Sequence, residues 1–233
     1  MNVRGILLDI EGTTTPIAFV HDVLFSYARA HAKDFLTANY ESDAVRDDIA
    51  LLRDEHAQDT DHPPLLSHEI ESISGYISWL IDRDRKSTAL KSLQGKIWRQ
   101  GYQDGTLKSQ VYDDVRPAFE RWHVAGLNVS IFSSGSVLAQ QLLFAHTEAG
   151  DLTKFLSQYF DTTVGKKGDA ESYRQIAKAL NLEPAGVVFI SDIITELDAA
   201  TAAGMQTLLS VRPGNVAQPS TTTHRTIHTF DEV

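Results

Sequence analysis

The first apolar run of the chain, Ile6-Leu7-Leu8, leads straight into Asp9, and a second acid, Glu11, stands two residues on, ahead of Gly12, Thr13 and Thr14. Other apolar runs also end on residues able to do chemistry. NVSIF is followed by Ser133 and Ser134, and GVVFI by Ser191 and Asp192 with Glu196 nearby; the lysine pair Lys166 and Lys167 lies between them. A carboxylate is a weak nucleophile, but it can attack phosphorus. Water then hydrolyses the acyl phosphate, so one hard step becomes two easier ones. An incoming phosphate dianion repels the attacking carboxylate, and a hard divalent cation cancels that repulsion. Mg2+ prefers oxygen ligands and few protein carboxylates. Asp9 and Asp192 would hold such an ion, with the substrate phosphate completing its shell. Acids at i and i+2 of an extended segment share a side, and a turn after Asp9 would alter this but keep the pair close, so one of Asp9 and Glu11 can attack while the other protonates the leaving oxygen. A hydroxyl from Ser133 and a lysine ammonium would hold the remaining phosphate oxygens.

Such residues can meet only if the runs before them are strands of one sheet. RGILL, NVSIF, GVVFI and MQTLLSV are short and rich in Val, Ile, Leu or Phe, as strands covered on both faces are. Between them PAFERWHVAG, SVLAQQLLFAHT, AESYRQIAKALNL and TELDAATAAG carry helical apolar spacing. Alternating strand and helix predicts an α/β fold, a doubly wound parallel sheet. In an open parallel sheet, ligands bind at the carboxyl ends of the strands. Residues 17–110 read differently, with no convincing strand and four helical stretches, His21 to Asn39, Asp43 to His56, Ser67 to Arg83 and Ser87 to Tyr102. The expected organisation is a core domain of residues 1–16 and 111–233 and an all-helical lobe, 17–110, inserted after the first strand where it could cover the strand ends. The polar tail GNVAQPSTTTHR reads as a surface loop before a last short strand near TIHTF.

Of the 233 residues, 42% are hydrophobic and 22% charged, and the formal net charge is −10. An acidic surface argues against sequence-independent binding to nucleic acid or anionic membrane, while leaving room for an anionic small molecule in a locally positive site. Without cysteine there is no disulfide and no thiolate metal site. No apolar run approaches the roughly 18 residues of a spanning helix, and the N-terminal run is too short for a signal peptide. A cytoplasmic protein, a monomer acting on a small molecule, is expected.

The constellation resembles the haloacid dehalogenase superfamily of phosphotransferases. Its first motif, Asp-x-Asp-x-Thr, reads DIEGT here; the second, a Ser or Thr after a strand, reads SIFSSGS; the third is a lysine; the fourth reads VVFISD. The helical insertion matches that superfamily's cap. Glutamate in place of the second aspartate, with FVHDVLF, FDTTVGKK, ESY and VRPGN, is similar to one subfamily, the enolase-phosphatases of methionine salvage. This resemblance runs from about Arg4 to Asn215. It implies enolisation of 2,3-diketo-5-methylthiopentyl-1-phosphate, then dephosphorylation to the acireductone 1,2-dihydroxy-3-keto-5-methylthiopentene, with one Mg2+ per subunit. It further implies Asp9 as nucleophile and metal ligand, Glu11 as acid/base and metal ligand through its backbone carbonyl, and Asp192 as third ligand. Ser133, Ser134 and Lys167 would bind substrate; spacing alone does not separate Lys166 from Lys167, and the subfamily pattern favours Lys167.

Plainer readings stand beside these. Asp9 with Glu11 could cap a following helix, as could Asp192 or the SSGS hydroxyls. Two lysines in a polar turn are usually solvated, and Glu196 would sit behind the metal ligands. His21 is expected to be structural, His62 to lie in the HPP loop and not to be a ligand, Asp113 and Asp114 to cap the PAFERW helix, and Trp79, Trp98 and Tyr102 to build the core of the lobe. Another phosphatase of the superfamily, of the phosphoglycolate type, is the alternative. A dehalogenase has no use for an acid at Glu11, and a binding module without activity would not need Asp9, Glu11 and Asp192 together.

Overall fold

The computed structural model describes all residues except 1, 2, 62, 65 and 218–221; His62 and part of the polar tail therefore lie outside the described residues. Six parallel strands form one sheet in the order β3-β2-β1-β4-β5-β6, with β1 at Gly5–Leu8, β2 at Asn128–Phe132, β3 at Gln158–Phe160, β4 at Val187–Ser191, β5 at Gln206–Ser210 and β6 at Arg225–Ile227. β1 is buried throughout, which is why GILL has no polar alternation: a central parallel strand is covered on both faces. The order reverses at β1, where β2 flanks one side and β4 the other, and a crevice opens at such a switch point. β3 has no counterpart in the sequence reading. It is three residues long and only half buried, too short and too polar to carry a periodic signal.

Helices α5 (Val115–Val124), α6 (Val137–Ala145), α7 (Ala170–Ala179) and α8 (Ile194–Ala202) accompany the sheet; α5 packs on β2, and α8 on β4 and β5. Tyr173 and Ile176 of α7 and Leu197 and Ala200 of α8 share one buried cluster with Leu7, Phe132 and Phe189 of the strands. The chain divides into two compact units, one formed by Met1–Val20 with Lys108–Val233 and the other by His21–Leu107.

The second unit is all helical: α1 (Ser26–Asn39), α2 (Asp43–Gln58), α3 (Ile70–Asp82) and α4 (Thr88–Gln103). A π-helical segment, Phe19–Phe25, runs directly into α1. α1 packs against α3 and α4, and α2 against α4, burying Leu36, Leu52, Ile73, Ile77 and Leu93. The Glu55 carboxylate holds the start of α4: it accepts hydrogen bonds from the Ser87 hydroxyl and from the Thr88 and Ala89 amides at 2.9 and 3.3 Å, the latter two being donors that the helix end leaves open. Trp98 and Tyr102 are buried as expected of core residues, and the Trp98 indole donates to the Leu24 carbonyl at 2.8 Å. Trp79 departs from that expectation. It is only partly buried, with the Arg83 guanidinium 4.4 Å from its ring centre, because α3 turns that ring toward its own charged C-terminus. Among the described residues no helix is long and apolar enough to cross a membrane.

Candidate active site

β1 stops at Leu8, and the backbone turns at once. The amides of Thr13, Thr14 and Thr15 all donate to the Ile10 carbonyl at 3.2, 2.9 and 2.9 Å, and the Gly12 amide donates to Thr15 O at 2.9 Å. Asp9 and Glu11 thus stand on a tight turn, and the expected extended i, i+2 geometry is not what relates them. Gly12 has φ +70°, and a Cβ there would run into the Asp192 carboxylate, so the turn requires glycine on both counts.

Asp9 is 5% exposed. Its Oδ1 accepts the Ile10 amide at 2.8 Å and lies 2.7 Å from Lys167 Nζ; the Ser191 hydroxyl reaches its Oδ2 at 3.3 Å. The β1–β4 register pairs Leu8 with Ile190, and the Asp9 amide donates to Ile190 O at 3.0 Å. Asp9 therefore stands beside Ser191, and Asp192 follows at the same end of the sheet. These two acids are 183 positions apart in the chain, and the sheet brings them together.

The lysines separate cleanly. Lys166 is exposed and Lys167 buried. The loop that carries them is tied to the first turn of α7: the Ser172 hydroxyl donates to Lys166 O at 2.8 Å and the Tyr173 hydroxyl to Lys167 O at 2.7 Å. Gly165, at φ +140°, leaves no room for a Cβ against Ser172. Lys167 Nζ reaches Glu196 Oε2 as well, at 2.7 Å. Glu196, in the first turn of α8, thus pairs with Lys167 and with the Ser191 hydroxyl (3.0 Å), and not with Asp192. The one Ser191 proton serves either Glu196 or Asp9 at a time. The spacing Ser191–Asp192–Glu196 on a strand end and helix start was the only sequence signal that could have found this role for Glu196.

Ser133 follows β2; its amide donates to Phe160 O at 3.1 Å and its hydroxyl accepts the Gly135 amide at 3.2 Å. Buried Gln140 secures this loop by donating to Gly135 O and Phe160 O at 2.9 and 2.8 Å. Ser134 is exposed, and Ser136 caps α6. Glu11 is partly buried and bridges to Thr15. His21 belongs to the helical unit, its ring edge-on to Phe25 at 5.1 Å. Asp114 does not cap α5 with its side chain; it pairs with Arg212 at 2.8 Å, because that buried guanidinium offers a stronger partner than solvated amides.

The charges do not balance. Three buried or half-buried carboxylates, Asp9, Asp192 and Glu196, face one ammonium. Burial and then the Asp9 charge push the Asp192 carboxyl up to about 7. Burial and then Asp9 push Glu196 up to about 7 as well, against the pull of Lys167. For Lys167 burial acts to lower the pKa, but Asp9 and Glu196 outweigh it and raise it. A donor set with this surplus of negative oxygen fits a hard divalent cation. Among the described residues no three His, Cys, Asp or Glu side chains form a cage of their own; two carboxylates and a turn carbonyl suit an ion that keeps most of its water.

A carboxyl with a raised folded pKa gives stability that is full below its unfolded value, near 4, and is lost as pH rises through about 7. Protein stripped of metal by chelator is therefore expected to melt lower at pH 8 than at pH 6, and a saturating divalent cation to raise the melting temperature more at pH 8. Scanning fluorimetry at both pH values checks this, and a cation effect larger at pH 6 would contradict it.

The model of the haloacid dehalogenase-like hydrolases matches residues 3–204. Enolase-phosphatase E1 of Synechococcus elongatus is 54% identical over 235 residues, covering 100% of this chain and 98% of that protein. Enolase-phosphatase E1 of Drosophila melanogaster is 47% identical over 219 residues, covering 92% and 85%. The solved structure of the UTR4 protein of Saccharomyces cerevisiae superposes with a TM-score of 0.83 at 32% identity, over 100% of both chains. The chain belongs to the haloacid dehalogenase-like hydrolases and, within them, to the family of the enolase-phosphatases E1.

Proposed function

We propose that the protein converts 2,3-diketo-5-methylthiopentyl-1-phosphate to the acireductone 1,2-dihydroxy-3-keto-5-methylthiopentene, by enolisation and then Mg2+-dependent hydrolysis of the phosphate ester, as a cytoplasmic, monomeric enzyme of methionine salvage. The observation that carries this reading is the buried Asp9 at the tip of the central strand, held by Lys167, with Asp192 at the tip of the next strand. Asp9, Asp192 and the Glu11 carbonyl would hold one Mg2+. Such an ion offsets the charge between carboxylate and phosphate and polarises the carbonyl oxygens of the diketone.

In the hydrolysis that follows enolisation, the chain's own residues do the rest. The Asp9 carboxylate forms a bond to phosphorus as the bond from phosphorus to the enol oxygen breaks, and Glu11 gives that oxygen a proton. Water then attacks the phosphorus of the aspartyl phosphate as its bond to the Asp9 oxygen breaks, Glu11 takes the water's proton, and inorganic phosphate leaves with the Asp9 carboxylate regenerated. Lys167 and the Ser133 and Ser134 hydroxyls bind the equatorial oxygens, where charge builds in the transition state. Residues 17–110 form an inserted helical cap.

The test supplies the diketo phosphate and follows the enol by ultraviolet absorbance alongside phosphate release. The enol is expected to rise before phosphate appears. Comparable turnover of phosphoglycolate with no enol signal from the diketo phosphate would overturn this reading in favour of a phosphatase of the phosphoglycolate type.

A further inference from the structure

Among the described residues, four buried polar atoms without a hydrogen-bond partner belong to one corner of the sheet-bearing unit: Thr13 Oγ1, Thr15 Oγ1, Arg212 Nη2 and Asn215 Oδ1. Two are on the turn after Asp9 and two on the segment after β5 that clasps it. Ser210 Oγ and Asn215 Nδ2 donate to the Gly12 carbonyl at 3.3 and 2.9 Å, and Arg212 Nε donates to the Thr13 carbonyl at 3.2 Å. Arg212 is fixed in turn by Asp114 and by the rings of Tyr112 and Phe230. The turn that carries Glu11 is therefore held from outside, by residues of VRPGN that the proposed reaction does not use.

Asn215 does more than pin a carbonyl. Its Nδ2 also donates to Ser210 O at 3.3 Å, so both amide hydrogens are spent on carbonyl oxygens. Flipping the amide would set its oxygen against those two acceptors, which fixes the orientation shown. The oxygen so placed lies 3.0 Å from where a Cβ of Gly12 would stand, and the Asp192 Oδ2 borders the same point. The two oxygens therefore flank Gly12 close to one another, and the buried amide oxygen is left without a donor. A water carried by a cation brings hydrogens for the amide oxygen and charge for the carboxylate, and it relieves both.

We propose that Asn215 is a positioning residue of the cation site, its Oδ1 accepting a hydrogen bond from a cation-held water while its Nδ2 fixes the turn that presents the Glu11 carbonyl. This rests on the reading that Asp9, Glu11 and Asp192 hold Mg2+. The experiment titrates Mg2+ calorimetrically into the full-length wild type, Asn215→Leu and Asn215→Asp, with melting curves for each. Losing the support behind a metal site typically weakens metal binding roughly 10- to 100-fold, and that loss is expected for Asn215→Leu. Asn215→Asp keeps an acceptor at Oδ1 but sets an oxygen against the Gly12 carbonyl. If accepting from the water is what counts, Asn215→Asp binds Mg2+ more tightly than Asn215→Leu; if the residue only pins the turn, it binds more weakly. An Asn215→Leu affinity within about twofold of wild type, or Asn215→Asp weaker than Asn215→Leu, overturns the proposal. Should Asn215→Leu not fold, Asn215→Ala takes its place under the same criteria. A wild type that binds no Mg2+ overturns the cation reading and this inference with it, whereas wild-type binding with an indifferent Asn215 overturns this inference alone.

Discussion

Asp9→Asn is expected to lower phosphate release by at least about 10⁴-fold, the scale on which losing a covalent nucleophile acts, while the protein stays folded. The substitution is isosteric, and its amide oxygen can still accept the Ile10 amide that Asp9 Oδ1 accepts at 2.8 Å. An amide oxygen does not form the acyl phosphate, so the two-step route closes. Stability is expected to hold or rise, because Asp9 is a cause of the raised pKa of both Asp192 and Glu196; removing its charge eases the ionisation of two buried acids. Lys167 keeps Glu196 as a partner at 2.7 Å. Phosphate release with the diketo phosphate, trapping of phosphoenzyme and a melting curve check the three parts. Residual turnover above about one part in a thousand would remove Asp9 as the nucleophile, since a mere binding contact costs only about two to three orders of magnitude.

Much of this site is legible in the chain because parallel strands advertise themselves. A strand covered on both faces must be apolar along its length, so GILL and VVFIS stand out, and the first polar residue after each marks a strand end. Asp9 and Asp192 are found in that way. The turn after β1 is less legible. Whether Asp9 and Glu11 share an extended segment or a turn depends on the Ile10 carbonyl gathering three amides, and no periodicity encodes that. β3 is hidden because three half-buried residues at a sheet edge need no apolar pattern. Spacing leaves Lys166 and Lys167 equal; the Ser172 and Tyr173 hydroxyls of α7, which fix the backbone of that loop, decide which one turns inward. The clasp of Arg212 and Asn215 on the Gly12 turn joins residues about two hundred positions apart through side-chain bonds to backbone carbonyls, which composition does not foretell.

Lys167→Met should separate catalysis from charge balance. The methionine keeps the length and apolar stem of the lysine, and the ammonium is lost from between Asp9 and Glu196, each 2.7 Å away. Removing one donor to transition-state charge costs roughly 10²- to 10³-fold in turnover. Breaking a buried ion pair from one side costs about 3–5 kcal/mol, because it strands the other charge; here it strands two carboxylates near a third. Both turnover and melting temperature are therefore expected to fall. Adding Glu196→Gln removes one stranded charge while keeping an oxygen to accept the Ser191 hydroxyl, which Glu196 now does at 3.0 Å. The double variant is expected to recover much of the stability and none of the turnover, since nothing restores a cation over the phosphate oxygens. Lys167→Arg is expected to rescue neither, because the planar guanidinium cannot take the place of a compact ammonium in a pocket that leaves Lys167 only 9% exposed. Turnover of Lys167→Met within about threefold of wild type would make the lysine a structural counter-ion with no part in the transition state, well short of the loss that a true donor shows.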